Sequence, residues 1–354
     1  MKNKKLLILL GCVCTVLVLA TLPFMAACAK QTPAPAPAPA PAPETIVLTL
    51  AQHNPTADMP GYRIAEEFKA RVEAASRGRI TVKHYPGELL GSWDVQGAQI
   101  IKGAIDMGRL PASATFHEKM EFAVTPYMIL DWEGGRNFFP PGAPGSNLMG
   151  EILGELGLHH FGCEPEGFGI VPSTKRFTPF PKTPEMAGIK TRVPFGKMMV
   201  QLGEAFGMMV VSMSFGEVPS AMMLGTIDAA IGPTFPEATA WTDVIKYVYE
   251  YRYNLWVGSW EMNGERWNSL SAEDQSIIST AMNEALLHEW DIGEQAEQDN
   301  ITLLEAAGVE VIQLTTEEKS ANAAVAREET WPFAEELYGK EVMDKVREAA
   351  QPLP

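Results

Sequence analysis

The sequence predicts an α/β fold in two domains with one long helix lying across both. Three observations carry this. Strand-like and helix-like runs alternate from residue 45 to residue 109, the same alternation returns over residues 188–233, and an almost uninterrupted helical pattern fills residues 272–307. From Glu44 onward the chain has ~310 residues, enough for two domains of ordinary size.

The first unit opens with TIVLTLA, residues 45–51, which reads as a strand. A loop holding Asn54, Pro55, Asp58 and Pro60 leads to a helix over about 62–75. Its apolar positions Ile64, Ala65, Phe68, Val72 and Ala75 recur at helical spacing. Residues 79–85 alternate as a second strand, and a helix over 95–103 feeds a short strand at 104–109. A βαβαβ start of this kind favours a mostly parallel sheet.

The second unit begins after Pro181. Residues 188–233 read GIKTRVPFGKMMVQLGEAFGMMVVSMSFGEVPSAMMLGTIDAAIGP. The strand at 189–193 carries one cation, Arg192, and stops at Pro194. A helix, a strand at 209–215 and a further helix ending at Gly225 follow. Ligands of open α/β sheets bind off the carboxyl ends of strands. A guanidinium there presents paired donors that match a carboxylate. Spacing alone leaves open a plain ion pair at a strand end. Residues 247–260 read as a strand pair returning to the first unit. Ser271 followed by Glu273 and Asp274 marks a helix start. The helix it opens, over 272–307 with only Gly293 as a weak interruption, would reach ~50 Å. The expected division is 45–168 with parts of 254–354 as one lobe, and 169–253 as the other.

Residues 1–27 are expected to be a signal peptide. Lys2, Lys4 and Lys5 precede an apolar run over 6–22, and small residues then lead to Cys28 in Met25-Ala26-Ala27-Cys28. That pattern resembles a bacterial lipobox, in which Cys28 is lipidated and becomes the mature N-terminus. The apolar run is short for a membrane span. The following tract TPAPAPAPAPAP, residues 32–43, cannot build a core and favours extended polyproline II. As part of a segment over 28–44 it is expected to be a spacer of ~40 Å holding a folded domain off a membrane. Cys12 and Cys14 leave with the signal, so Cys163 is the one cysteine of the folded part and reads as a buried thiol. It offers no intramolecular disulfide and no cysteine-based metal site.

The chain carries 28 basic and 44 acidic residues, a net charge of −16 that becomes −19 once the three signal lysines are gone. An acidic protein has no electrostatic case for nucleic acid or anionic lipid as partners. An anionic ligand must be held by a local cation against the mean field, which raises the value of each inward-pointing arginine.

Several separate blocks, in order, make the chain similar to a known family. These are GYRIAEEFKARVEAASRGRITVKHYPGELLGSW, then KGAIDMG at 102–108, Pro126-Tyr127, and the dense stretch from TPEMAGIKTRVP through SFGEVPSAMMLGTIDAAIGP. They resemble the extracytoplasmic solute-binding proteins of TRAP (tripartite ATP-independent periplasmic) transporters over nearly the whole folded part. The resemblance implies a two-lobe periplasmic-binding-protein fold, type II-like. It also implies capture of an organic acid between the lobes and delivery to small and large membrane permease subunits. The location would be extracytoplasmic, with the lipid holding the protein to the outer face of the cytoplasmic membrane. Carried over residue by residue, Arg192 matches the arginine that grips the ligand carboxylate, Phe215 an aromatic residue of the cleft, and Glu217 the acid after it. Asp228 matches a second acid, Tyr253 a polar cleft residue and Thr174 a ligand-facing asparagine. Three positions depart from the pattern. Gly169 stands where relatives often have a second cleft arginine, Gly232 where they have an asparagine, and Pro219 where they have a tyrosine.

Loss of polar partners, the methionines at 198, 199, 208, 209, 213, 222 and 223, and Phe195 just beyond Arg192 suggest a larger or more apolar acid than a small hydroxy acid. Most of those methionines, at helical spacing, read equally as core. No nucleophile elbow, phosphate-cradling loop or zincin helix appears, and neighbouring His159 and His160 point apart in regular structure. No enzyme activity, metal or cofactor is expected. A ligand-sensing lipoprotein that serves a membrane receptor is the alternative reading, with a secreted enzyme behind it.

Overall fold

The computed structural model describes residues 45–353. The expected signal segment, Cys28 and the Pro-Ala spacer lie outside the described residues. Among those described, no helix is long and apolar enough to cross a membrane.

The chain begins with β1 (Ile46–Gln52), α1 (Pro60–Ala75), β2 (Ile80–Pro86), α2 (Trp93–Ile101) and β3 (Met107–Pro111). Helix α1 buries Ile64, Ala65, Phe68 and Val72, the stripe its spacing predicts. Strand β3 starts later than the residue 104 read from the sequence, because residues 102–106 are used to end α2. Gly103 takes φ 74°, and the Ala104 amide donates back to the Gln99 carbonyl at 2.9 Å, closing a glycine-based helix terminus. Two short helices, α3 (Trp132–Phe138) and α4 (Pro144–Gly154), precede β4 (Leu158–Phe168).

The second unit comprises β5 (Val171–Ser173), β6 (Lys190–Val193), α5 (Lys197–Ala205), β7 (Met209–Ser212), α6 (Val218–Met223), β8 (Ala229–Ala230), α7 (Phe235–Thr239) and β9 (Tyr247–Tyr249). Strand β10 (Leu255–Asn263) and helix α8 (Gly264–Asn268) follow. Two sheets result. In the first the order is β2-β1-β3-β10-β4, with β1 parallel to β2 and β3, and β10 antiparallel to β3 and β4. In the second the order is β11-β9-β5-β8-β6-β7, with β6 parallel to both its neighbours and β11 spanning Glu310–Ile312.

The strand pair read at 247–260 is corrected by this topology. β9 pairs with β5 and β11 in the second sheet, while β10 pairs with β3 and β4 in the first. The aromatic run looks continuous, but Arg252 takes φ 50°, a left-handed conformation that a strand cannot contain. Residues 250–254 therefore carry the chain from one sheet to the other, as residues 169–170 do in the opposite direction.

Helix α9 (Ala272–Ala306) runs without a break, and the Ser271 hydroxyl caps it by accepting from the Asp274 amide at 3.1 Å. It packs on α1 and β4 of the first sheet and reaches α7 and β11 of the second, so it spans both lobes. Gly293 is a packing residue: a Cβ there would come within 2.8 Å of the Trp132 ring. A second bridge is α10 (Thr316–Tyr338), which packs on α5 and on the turn of 3-10 helix at Glu118–Val124, and α11 (Lys340–Ala349) folds back on it.

Cys163 is buried. His160 ties three elements together, with Nδ1 2.9 Å from Glu261 of β10 and Nε2 3.1 Å from Ser146 Oγ of α4. His159 instead stacks flat on Trp267 at 3.8 Å. The two rings point apart, as alternation along a strand requires.

Candidate ligand-binding site

Arg192 sits near the carboxyl end of β6, between β7 and β8. It is 4% exposed. Its Nε donates to the Met213 carbonyl at 3.1 Å and its Nη1 to the Ile231 carbonyl at 3.2 Å. Its guanidinium lies 5.7 Å from the centre of the Phe215 ring, within cation–π range. Among the described residues no carboxylate pairs with it. Burial lowers its pKa to about 10, with Tyr253 and Glu237 pulling the other way. An arginine held by main-chain carbonyls and an aromatic face, with no counter-ion, keeps its charge available for a ligand.

Phe215 occupies a short turn after β7 and packs against Trp241, ring centres 5.1 Å apart. Gly232 follows β8 with φ 123°, and its amide donates to the Tyr253 hydroxyl at 2.7 Å. A Cβ at this position would lie 2.6 Å from Arg192 Nη1, so only glycine lets the guanidinium rest there. Tyr253 is fully buried, and a Cβ at Gly169 would meet its ring at 2.4 Å. The position of the missing second arginine is thus covered by the Tyr253 ring. Arg192, Phe215, Gly232 and Tyr253 form one cluster.

Other residues nominated from sequence lie elsewhere. The Thr174 amide and hydroxyl both donate to the Asp228 carbonyl, at 2.8 and 3.2 Å. Asp228 in turn bonds Lys190 at the amino end of β6 and pairs with Lys175. Because β5 runs antiparallel to β8, its end carries Thr174 away from Arg192. Glu217 closes a capping box with Ser214. Phe195 is 68% exposed just past Pro194.

Sequence reasoning missed a second buried arginine, in the first sheet. Arg109 near the end of β3 is buried and forks between Glu164 and Glu166, with His53 Nε2 2.8 Å from its Nη1. A lone cation in an apolar strand was the signal, the same one that nominated Arg192. Burial and Arg109 push the His53 pKa well down, so its imidazole is neutral at neutral pH. Glu237 of α7, whose carboxylate accepts from the Thr234 amide at 2.8 Å, feels both Arg192 and Arg109. Burial raises its pKa while both guanidiniums oppose that. Glu237 is thus the group on which the charges of Arg192 and Arg109 both act.

Residues 51–336 match the family model of bacterial extracellular solute-binding proteins, family 7 (DctP). The ectoine/5-hydroxyectoine-binding periplasmic protein of Ruegeria pomeroyi is 26% identical over 277 residues, covering 77% of this chain and 80% of that protein. The C4-dicarboxylate-binding periplasmic protein of Rhodobacter capsulatus is 24% identical over 284 residues, covering 78% and 83%. Among solved structures, a TRAP periplasmic solute-binding protein of Desulfovibrio salexigens with bound orotic acid superposes with a TM-score of 0.77 at 19% identity, covering 86% of this chain and 98% of that one. The shared two-lobe architecture with its spanning helix and a family match over most of the chain agree. The chain belongs to bacterial extracellular solute-binding protein family 7, the solute-binding proteins of TRAP transporters.

Proposed function

We propose that this protein captures an organic acid with an apolar body, clamps its carboxylate with Arg192, and delivers it to the small and large permease subunits of a TRAP transporter. The observation that carries the reading is a buried guanidinium with no counter-ion among the described residues, near the carboxyl end of a strand and over an aromatic ring. The lobes are residues 45–168 with parts of 254–354, and residues 169–253. They close because only the closed form lets both touch the ligand. Phe215, Trp241 and Met213 favour apolar contact, while Phe195 stands at the exposed end of the same segment. The relatives bind ectoine, C4-dicarboxylates and, in one structure, orotic acid, all bearing an acid group, which supports the ligand class. Cys28 carries the lipid that anchors the protein outside the cytoplasmic membrane, and the Pro-Ala tract is the spacer.

Isothermal titration of the purified protein against aromatic and small hydroxy acids tests this. Arg192→Ala leaves a desolvated carboxylate unpaired at ~2–5 kcal/mol, so the expected affinity loss is about 30- to 4000-fold. Acid binding that survives in the variant sinks the clamp. Tight lactate or malate binding with no aromatic acid bound sinks the apolar preference.

A further inference from the structure

The cluster around Arg192 holds more hydrogen-bond donors than acceptors. Arg192 uses Nε and Nη1 on main-chain carbonyls, and its Nη2 group has no acceptor among the described residues. The Tyr253 oxygen accepts from the Gly232 amide, so that bond does not use the phenol's own proton, and no described residue accepts it. A buried phenol proton without an acceptor is costly and marks a missing partner.

The geometry fixes where that partner sits. Gly232 touches both groups: its amide bonds the phenol, and a Cβ on it would strike Arg192 Nη1 at 2.6 Å. Gly169 and Asn254 confine the ring, since a Cβ at Gly169 would lie 2.4 Å from Tyr253 Cζ and 2.7 Å from Asn254 Oδ1. Guanidinium and phenol thus flank one glycine. Charge narrows the ligand further. Arg109 is already matched by Glu164 and Glu166. One free positive charge remains.

We infer that the Tyr253 phenol is the second donor of the acid-binding site, gripping one ligand carboxylate together with Arg192, and that the site selects singly charged over doubly charged acids. This rests on Arg192 being the clamp. A phenol supplies a directional donor without a second cation. A ligand's second anionic group would find no free cation among the described residues and would lose its hydration uncompensated. Burial raises the phenol's pKa, so it stays a donor throughout the neutral range.

The test is titration calorimetry of wild type, Tyr253→Phe and Arg192→Ala with benzoate, phenylacetate and orotate, and with the dianions phthalate and succinate. The expected result is monocarboxylate binding about 10-fold or more tighter than dianion binding. Tyr253→Phe should weaken the monocarboxylates about 10- to 100-fold, the scale of a hydrogen bond to a charged group. Because this variant also removes the Gly232 acceptor, the infrared carboxylate band of isotope-labelled bound benzoate is compared between wild type and variant. A phenol that donates to the ligand moves that band, and one that merely fills space does not. Tyr253→Phe affinities within about twofold of wild type, or an unmoved band, overturn the phenol's role while leaving the clamp intact. Dianions bound as tightly as monoacids overturn the selectivity. Failure of wild type to bind any of the acids, or undiminished binding by Arg192→Ala, overturns the clamp and this inference with it.

Discussion

Arg192 and Arg109 show how one residue type does opposite work according to its neighbours. Both are buried near the carboxyl ends of strands. Arg109 is enclosed by Glu164, Glu166 and His53, and its charge is spent on holding β3 to β4. Arg192 meets only carbonyls and a ring, and its charge is unspent. The same scale explains the histidines. Burial and the neighbouring His160 push the His159 pKa down to about 4. A histidine whose folded pKa lies below its unfolded value of about 6.5 gives stability that is complete above that value and is lost as pH falls toward the folded pKa. His53 and His84, also lowered, act in the same direction. Replacing His159 by Phe keeps the stack on Trp267 and removes its share. Thermal unfolding of this variant should therefore fall less than that of wild type between pH 6.5 and 4, by about 1–3 kcal/mol. Equal pH slopes for the two proteins would count against the assignment.

At the scale of elements, legibility followed locality. The βαβαβ opening, the block around β6 and the long helix are written in periodicity and caps, and the structure contains them. The error at 247–260 arose because strand propensity says nothing of which sheet a strand joins, and the left-handed turn at Arg252 has no sequence mark. Helix α10 was readable but passed over: Thr315 and Glu318 form a full capping box. The site was half legible for a related reason. Arg192, Phe215 and Gly232 share one contiguous block, whereas Arg109 and His53 come together with Glu164 and Glu166 only through tertiary packing. Where Thr174 lies relative to Arg192 depends on strand direction, which local pattern does not carry. Gly293 tests the packing of α9 against its propensity. In an exposed helix Gly→Ala stabilises by about 1 kcal/mol, but here the added methyl would meet Trp132 at 2.8 Å. Gly293→Ala should lose about 1–3 kcal/mol in urea unfolding; a gain in stability would show that the helix shifts to admit it.

At the scale of the whole molecule, a net charge of −16 makes any anion dependent on a local cation. The two crossings are where the chain passes from one sheet to the other. The crossing at 250–254 holds Arg252 with φ 50°, a conformation costing about 1–2 kcal/mol for a residue with a Cβ. Three contacts keep it there: Glu297 of α9 at 2.5 Å, Glu250 at 3.5 Å and the face of Phe168 at 4.8 Å. Arg252 thus pins the second crossing to the spanning helix and to the end of β4, where the first crossing starts. Burial already raises the Glu297 pKa, and Arg252 is the charge that opposes it. Arg252→Ala strands that carboxylate, which at neutral pH should cost about 3–5 kcal/mol. The sign with pH follows from the direction of the shift. A carboxyl whose folded pKa is raised above its unfolded value loses stability as pH rises between the two, so the variant's deficit should be small near pH 4 and full at pH 7. Urea unfolding at both values measures this, and equal deficits would mean that Glu297 finds another partner. Freed from α9, the crossing should also admit a wider range of lobe separations. Small-angle scattering of the ligand-free variant should show a larger radius of gyration than wild type, and one that contracts when a bound acid draws the lobes together. A scattering profile unchanged by the substitution would place the hinge elsewhere, in residues 169–170.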